Sequence, residues 1–245
     1  MSGSPARGST PPGALGEEEA ARWVRGMFGR VAHRYDLLNH LLSLNIDRYW
    51  RARTVRRLRP VLERPGARVM DICCGTGDLL VALEGRCAGT VFGSDFCHPM
   101  LEAAKAKTRG RAPVVEADAL ALPLPDASLD LITTAFGFRN LANYEKGLQE
   151  MRRVLRPGGV AAILEFSTPP NPALASLYGF YSRRILPAVG GAVSGESGAY
   201  RYLPESVRRF PEAQRLLAML VEVGFRDVQF ERMTGGIVAL HTGTA

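Results

Sequence analysis

The chain has 245 residues, 46% hydrophobic and 22% charged, ordinary values for a soluble globular protein long enough to bury the core of one α/β domain. Its net charge is +7, with arginines crowded between Arg48 and Arg68; only Tyr49 and Trp50 interleave them, which argues against nucleic acid and for a solvated or membrane-facing helix. No apolar run reaches the ~20 residues of a transmembrane helix, no signal peptide is expected, and Cys73, Cys74, Cys87 and Cys97 lack metal-ligand or C-x-x-C spacing, so reduced packing thiols in a cytosolic protein are expected.

Residues 1–16 are rich in Ser, Gly and Pro and are expected to be disordered. Residues 17–60 form a helical segment, opened by Glu17, Glu18 and Glu19 and carrying the apolar stripe Trp23, Val24, Met27 and Phe28. In open α/β folds such a segment often covers the substrate side. Tyr35 and Asp36 are therefore candidate site residues, against the alternative of a tyrosine anchored between helices.

A first strand, Arg68 to Ile72, runs into Cys73-Cys74-Gly75-Thr76-Gly77 and a helix from Asp78. Strand, glycine turn, helix is a nucleotide-binding corner, where Gly75 and Gly77 permit close backbone approach. A dinucleotide fingerprint would need a third glycine at Leu80, so NAD and FAD are disfavoured. A second strand, Thr90 to Ser94, ends in Asp95, close to the roughly 20-residue offset of a ribose-binding carboxylate; a helix cap is the alternative.

The alternation continues with a helix over 99–107, a third strand over 113–117, a fourth from Leu129 to Ala135, a helix over 144–155 stopped by Arg156-Pro157-Gly158-Gly159, and a fifth strand over 160–166. Asp118 and Ala119 follow strand three, where an acid can accept from an adenine amine; a simple turn acid is the alternative. Arg139 and Asn140 follow strand four, where ligand loops belong. Residues 168–203 are apolar, aromatic and hinged by glycine, and read as a lid or substrate cover. A helix over 211–223 and strands over 225–232 and 237–241 complete residues 17–245, a single domain without repeats.

Asp71-x-x-x-Gly75-x-Gly77 resembles the first motif of class I S-adenosylmethionine-dependent methyltransferases. Further blocks narrow this: Phe28-Gly29-Arg30-Val31-Ala32-x-x-Tyr35-Asp36, Phe136-Gly137-x-Arg139-Asn140, Leu164-Glu165-Phe166-Ser167-x-Pro169, Tyr200-x-Tyr202-Leu203 and Thr234-Gly235-Gly236-Ile237-Val238-Ala239-Leu240-His241. Over residues 22–243 the chain resembles the menaquinone and ubiquinone biosynthesis C-methyltransferases. The resemblance implies an α/β, Rossmann-like fold. Its seven-strand sheet is mostly parallel, with one antiparallel strand, helices on both faces and an N-terminal helical cover. It implies S-adenosylmethionine as donor, a prenylated 1,4-naphthoquinol as acceptor, no metal, and Thr76, Asp95, Asp118 and Ala119 at donor-binding positions. Some relatives carry serine where this chain has Ala135, so any hydrogen bond from that side chain is lost.

Methyl transfer to an aromatic carbon needs the donor methyl in line with an electron-rich ring. Arg139, permanently charged, is expected to stabilise oxyanion charge or orient water, with Asn140 beside it and Tyr35 reaching across from the cover. His33, His98 and Asp36 remain alternative bases. A benzoquinol, another small phenol, RNA, NAD-dependent chemistry and a non-catalytic donor-binding scaffold are the competing readings. A prenylated acceptor implies transient contact of a cytoplasmic protein with the anionic inner face of the membrane, through the Arg48–Arg68 run and residues 174–186. Oligomeric state is left open, a homodimer being one option.

Overall fold

The computed structural model describes residues 7–9, 11–185, 188 and 197–245, with side chains at all of these except 33–39, 41–42 and 197–201. The cover is two helices, α1 (Glu17–Leu42) and α2 (Ile46–Leu62). Then follow β1 (Arg68–Ile72), α3 (Asp78–Glu84), β2 (Thr90–Asp95), α4 (His98–Thr108), β3 (Val114–Glu116), β4 (Leu129–Ala135), α5 (Tyr144–Val154) and β5 (Leu155–Phe166). The rest is α6 (Pro172–Phe180), α7 (Ser197–Arg209), α8 (Ala213–Glu222), β6 (Arg226–Met233) and β7 (Val238–Thr244).

The seven strands form one sheet in the order β3-β2-β1-β4-β5-β7-β6, with β7 antiparallel to both its neighbours. From β1 the chain winds outward to β3, then returns to β4 and winds the other way. The strand order therefore reverses between β1 and β4, and their carboxyl ends flank a crevice. Alternating side chains feed two cores. Val69, Leu131, Leu164 and Leu240 pack with Trp50, Leu58 and Leu80 on one face; Met70, Ile72, Ile132 and Ile163 pack with Leu148, Met151 and Leu216 on the other.

Two departures from the sequence reading have local causes. Pairing along β5 starts at Leu155, not Val160, because residues 156–159 loop out as a bulge with Gly158 at φ 79°, and pairing resumes at Leu131–Val160. Within the stretch expected to be disordered, Ser9 is buried: its N–H donates to Leu141 O at 2.7 Å and its hydroxyl lies 2.6 Å from that of Tyr202. Gly8 is required there, since a Cβ would lie 2.3 Å from Leu141 O. The lid reading falls partly outside the described residues. Its described part is α6, capped by Asn171 and burying none of its side chains, then a π turn at Tyr181–Ile185, then α7.

His241 on β7 is a buried base in this framework. Its Nε2–H donates to Ala213 O at 2.8 Å, its ring packs on Phe230, and Nδ1 has no partner. Burial lowers its pKa to about 4, with Arg232 adding to the effect. A base whose folded pKa is depressed contributes stability above its unfolded pKa that is lost as pH falls. Stability should therefore drop between pH ~6.5 and ~4, by about 3 kcal/mol at most from this group. Thermal melts of His241→Leu should show a shallower decline over that window than wild type; parallel declines would exclude the assignment.

Candidate functional site

The glycine corner is built from backbone. Past Ile72 the chain turns through Cys73 at φ 50°, Cys74 N donates to Ser94 O, and Gly77 N donates to Cys74 O. Gly77, at φ 88°, faces Ala104 of α4, 3.1 Å from where a Cβ would stand. It shapes the turn and does not line the crevice, whereas Gly75 and Thr76 do. The opposite wall is the end of β4. Phe136 has φ 59°, rare for a bulky side chain and worth about 1–3 kcal/mol of strain. Its ring is held by Phe166 at 4.8 Å and Trp50 at 5.8 Å. At Gly137 a Cβ would lie 2.4 Å from Cys73 Cβ, so glycine is what lets the two strand ends meet.

Between these walls lies a cleft of about 920 Å³, part of it open to solvent. Of the residues singled out from sequence, it brings together Asp71, Gly75, Thr76, Asp95, Asp118, Ala119 and Asn140. Asp71 accepts from Thr133 Oγ1 at 2.7 Å, and burial raises its pKa to about 7, opposed by that bond and by Arg51. Asp95 accepts from Gly75 N and Cys97 N, each at 2.9 Å, and burial raises it to about 6. Asp118 accepts from Leu120 N and is exposed. The thiols of Cys73 and Cys74 are pushed well up by burial and by the neighbouring acids, so they stay protonated.

Arg139 is placed differently from the expectation. It is 4% exposed and points into the protein, and it does not line the cleft. Its Nη1 donates to Glu165 Oε1 at 2.9 Å and to Phe136 O, its Nε donates to Ser206 Oγ at 3.3 Å, and its N–H donates to Glu165 Oε2. The buried ion pair offsets the charge that was assigned to an oxyanion. Asn140 lines the cleft, and its Oδ1 accepts from Tyr202 O–H at 3.2 Å. What Asn140 has left to offer a ligand is its amide NH2. His98 lies on the surface, 2.9 Å from Glu116, away from the cleft. The side chains of Tyr35, His33 and Asp36 lie outside the described residues.

Sequence spacing suggested no metal-ligand group, yet the fold brings His40, Asp47 and Asp78 within 4.8 Å of one another. Arg51 donates to Asp47 and lies 3.5 Å from Asp78, and Lys107 lies 2.6 Å from Asp78. Two cations thus already face these carboxylates. Arg51 also lines the cleft; as one of eight arginines in a basic run, it carried no signal in sequence.

The sequence matches the model of the ubiE/COQ5 methyltransferase family over residues 15–245. The chain belongs to that family. It is 49% identical over 221 residues to the demethylmenaquinone methyltransferase of Thermus thermophilus, covering 89% of this chain and 99% of the relative. It is 43% identical over 233 residues to the ubiquinone/menaquinone biosynthesis C-methyltransferase UbiE of a Geobacter species, strain M21, covering 92% and 97%. Among solved structures, a SAM-dependent methyltransferase from Thermotoga maritima superposes with a TM-score of 0.63 at 18% identity, covering 89% of this chain and 98% of that one, a likeness of fold alone.

If an adenosyl ligand is held by these two raised acids, they set the pH dependence of its binding. Hydroxyl and ammonium donors favour ionised Asp95 and Asp71. Below about pH 7 and about pH 6 respectively, Asp71 and Asp95 carry protons that binding must displace. Affinity for S-adenosylhomocysteine, measured calorimetrically, should be constant above pH ~8 and fall by up to about tenfold per pH unit per group on acidification. A flat profile from pH 8 to 5.5 would remove both acids from the binding site.

Proposed function

We propose that the chain transfers the methyl group of S-adenosylmethionine to a ring carbon of a prenylated demethylmenaquinol, giving menaquinol. The observation that carries this reading is the cleft at the β1/β4 reversal, lined by Asp71, Asp95 and Asp118, in a chain of the ubiE/COQ5 family. Asp95 stands at the ribose, Asp118 at the adenine amine and Asp71 at the amino-acid end. The quinol loses a phenolic proton, and its electron-rich ring carbon attacks the methyl. The S–CH3 bond breaks with its electron pair going to sulfur, and the ring C–H proton leaves to restore the aromatic ring. The oxygen takes a proton back to give the quinol, so that net one proton is released.

Asn140 is the residue proposed to donate to the developing oxyanion, aimed by Tyr202. Arg139 acts as a positioning residue beneath it, through Glu165 and the Phe136 carbonyl. Tyr35 is retained as an acceptor-side group on the strength of its motif. Product mass after incubation with methyl-labelled donor and either a naphthoquinol or a benzoquinol tests the reaction, run with and without EDTA. Labelled menaquinol should form in both conditions. Chelator-sensitive turnover restored by a divalent ion would assign the His40–Asp47–Asp78 group to a metal, and label on the benzoquinol alone would move the acceptor.

We further infer peripheral membrane contact. No helix of the described residues is long and apolar enough to cross a bilayer. The arginine run does not supply one basic face: Arg51 points inward, Arg53 pairs with Glu231 and Arg59 with Glu63, Arg64 lies past the end of α2, and Arg68 opens β1. The rim at the carboxyl ends of the strands offers more. Leu44, Ile46 and Tyr49 around the start of α2 are exposed beside Arg48 in sequence, and Leu177, Phe180 and Ile185 after β5 are exposed beside Arg183 and Arg184. Such a patch suits the headgroup level of an anionic surface. Liposome co-sedimentation should require anionic lipid, weaken with salt, and weaken in a Leu44→Ser, Phe180→Ser variant that melts like wild type. Equal, poor binding to neutral and anionic liposomes at low salt would mean that a partner protein delivers the quinol.

A further inference from the structure

Three residues near the start of the chain are built against the cleft wall from outside. Residues 7–9 precede the stretch, 15–245, that matches the family. Arg7 pairs with Asn143 in an isolated parallel bridge, and Ser9 N donates to Leu141 O at 2.7 Å. Between them Gly8 lies against the same backbone. A Cβ there would stand 2.3 Å from Leu141 O and 2.8 Å from the Ala142 carbonyl carbon. Leu141 and Ala142 line the cleft directly after Asn140. This strap is therefore seated on the segment that carries Asn140, at a distance that glycine permits and a Cβ does not.

The Ser9 hydroxyl lies 2.6 Å from that of Tyr202. The Tyr202 ring is held by Trp23, at 5.0 Å between centroids, and by Val24 and Met27. Tyr202 O–H donates to Asn140 Oδ1 at 3.2 Å. A carboxamide can turn either its oxygen or its NH2 toward a phenol, because a hydroxyl both donates and accepts. The phenol has one proton to give. While Ser9 donates to the Tyr202 oxygen, that proton goes to Asn140 Oδ1, and the NH2 is left for the cleft. Without the Ser9 hydroxyl, the phenol oxygen can accept from the NH2 instead, and the flipped amide presents its oxygen to the cleft.

We propose that Ser9 is a positioning residue: acting through Tyr202, it fixes the Asn140 amide with its NH2 toward the acceptor, and the strap of residues 7–9 keeps it in place. The inference rests on Asn140 donating to the developing oxyanion. An amide turned the other way would meet that charge with a lone pair.

Three variants test it. Ser9→Ala removes the hydroxyl and leaves the main-chain bond to Leu141. Gly8→Val displaces the strap sterically. Tyr202→Phe keeps the ring and removes the relay. One hydrogen bond corresponds to about a 2- to 10-fold change. Turnover of the naphthoquinol should fall by about that factor in each variant, with affinity for S-adenosylhomocysteine at the wild-type value. Ser9→Ala should cost nothing further in a Tyr202→Phe background. The side-chain NH2 resonances of Asn140, assigned with Asn140→Asp, should shift in Ser9→Ala and in Gly8→Val. Asn140 resonances indifferent to Ser9→Ala, an equal loss of turnover in the Tyr202→Phe background, or a matching loss of S-adenosylhomocysteine affinity would overturn the proposal. Resonances that respond as expected in a protein whose wild type methylates no naphthoquinol would instead overturn the methyl-transfer reading and leave the relay standing.

Discussion

The buried pair of Arg139 and Glu165 is the constraint on which the acceptor half of the site depends. One guanidinium ties the turn after β4 to the end of β5 through Glu165, to α7 through Ser206, and to its own turn through the Phe136 carbonyl. Tyr144 of α5 adds a bond to the Arg139 carbonyl at 3.0 Å. Removing one partner would leave the other charge buried and alone, at about 3–5 kcal/mol. The pair therefore adds little net stability over an apolar core but strongly penalises any other path for residues 136–140. That path holds Phe136 in its left-handed conformation and brings Asn140 to the cleft.

The donor half obeys a different logic. Asp71 and Asp95 are withdrawn from water, which costs their ionised forms, and the backbone N–H groups of Gly75 and Cys97 repay only part of that for Asp95. Acids left in this state gain from a ligand that brings its own hydroxyl or ammonium donors. The flanking thiols, raised further, offer no competing nucleophile to a methyl donor. Preorganised acids and inert small side chains are what a reactive sulfonium needs around it.

Much of the cleft wall around the glycine corner was legible in the sequence because its signals are local. Asp71, Gly75 and Thr76 lie within one strand–turn–helix, and Asp95 follows at the end of the next strand. β1 and β4 kept their expected bounds, being short apolar runs closed by turns. What could not be read depends on pairing across long separations. Arg139 looked like a free cation at a strand mouth because Glu165 lies 26 residues on, and only the β4–β5 register brings them together. Arg51 was hidden among arginines because its role is set by Asp78, Phe136 and Asp71, none of them on its own helix. Gly77 was read as a contact with ligand, but its φ and its approach to Ala104 account for it.

The two halves also differ in which parts of the chain build them. Asp71 and Asp95 stand on strands of the sheet and Asp118 follows β3. The Asn140 end of the cleft is built instead from segments outside the sheet. Ser9 bonds Tyr202 of α7, Tyr202 bonds Asn140, and Val24 and Met27 of α1 pack on the same tyrosine. Residues about 190 positions apart in sequence thus close on one amide at the cleft. Since Tyr202 O–H donates to Asn140, the Ser9 hydroxyl is the donor to Tyr202, and the chain of hydrogen bonds runs one way, toward the cleft. A change in the first residues of the chain is therefore felt at Asn140 in the cleft. Within a common fold, such additions are where a choice of acceptor can be encoded without disturbing the donor corners.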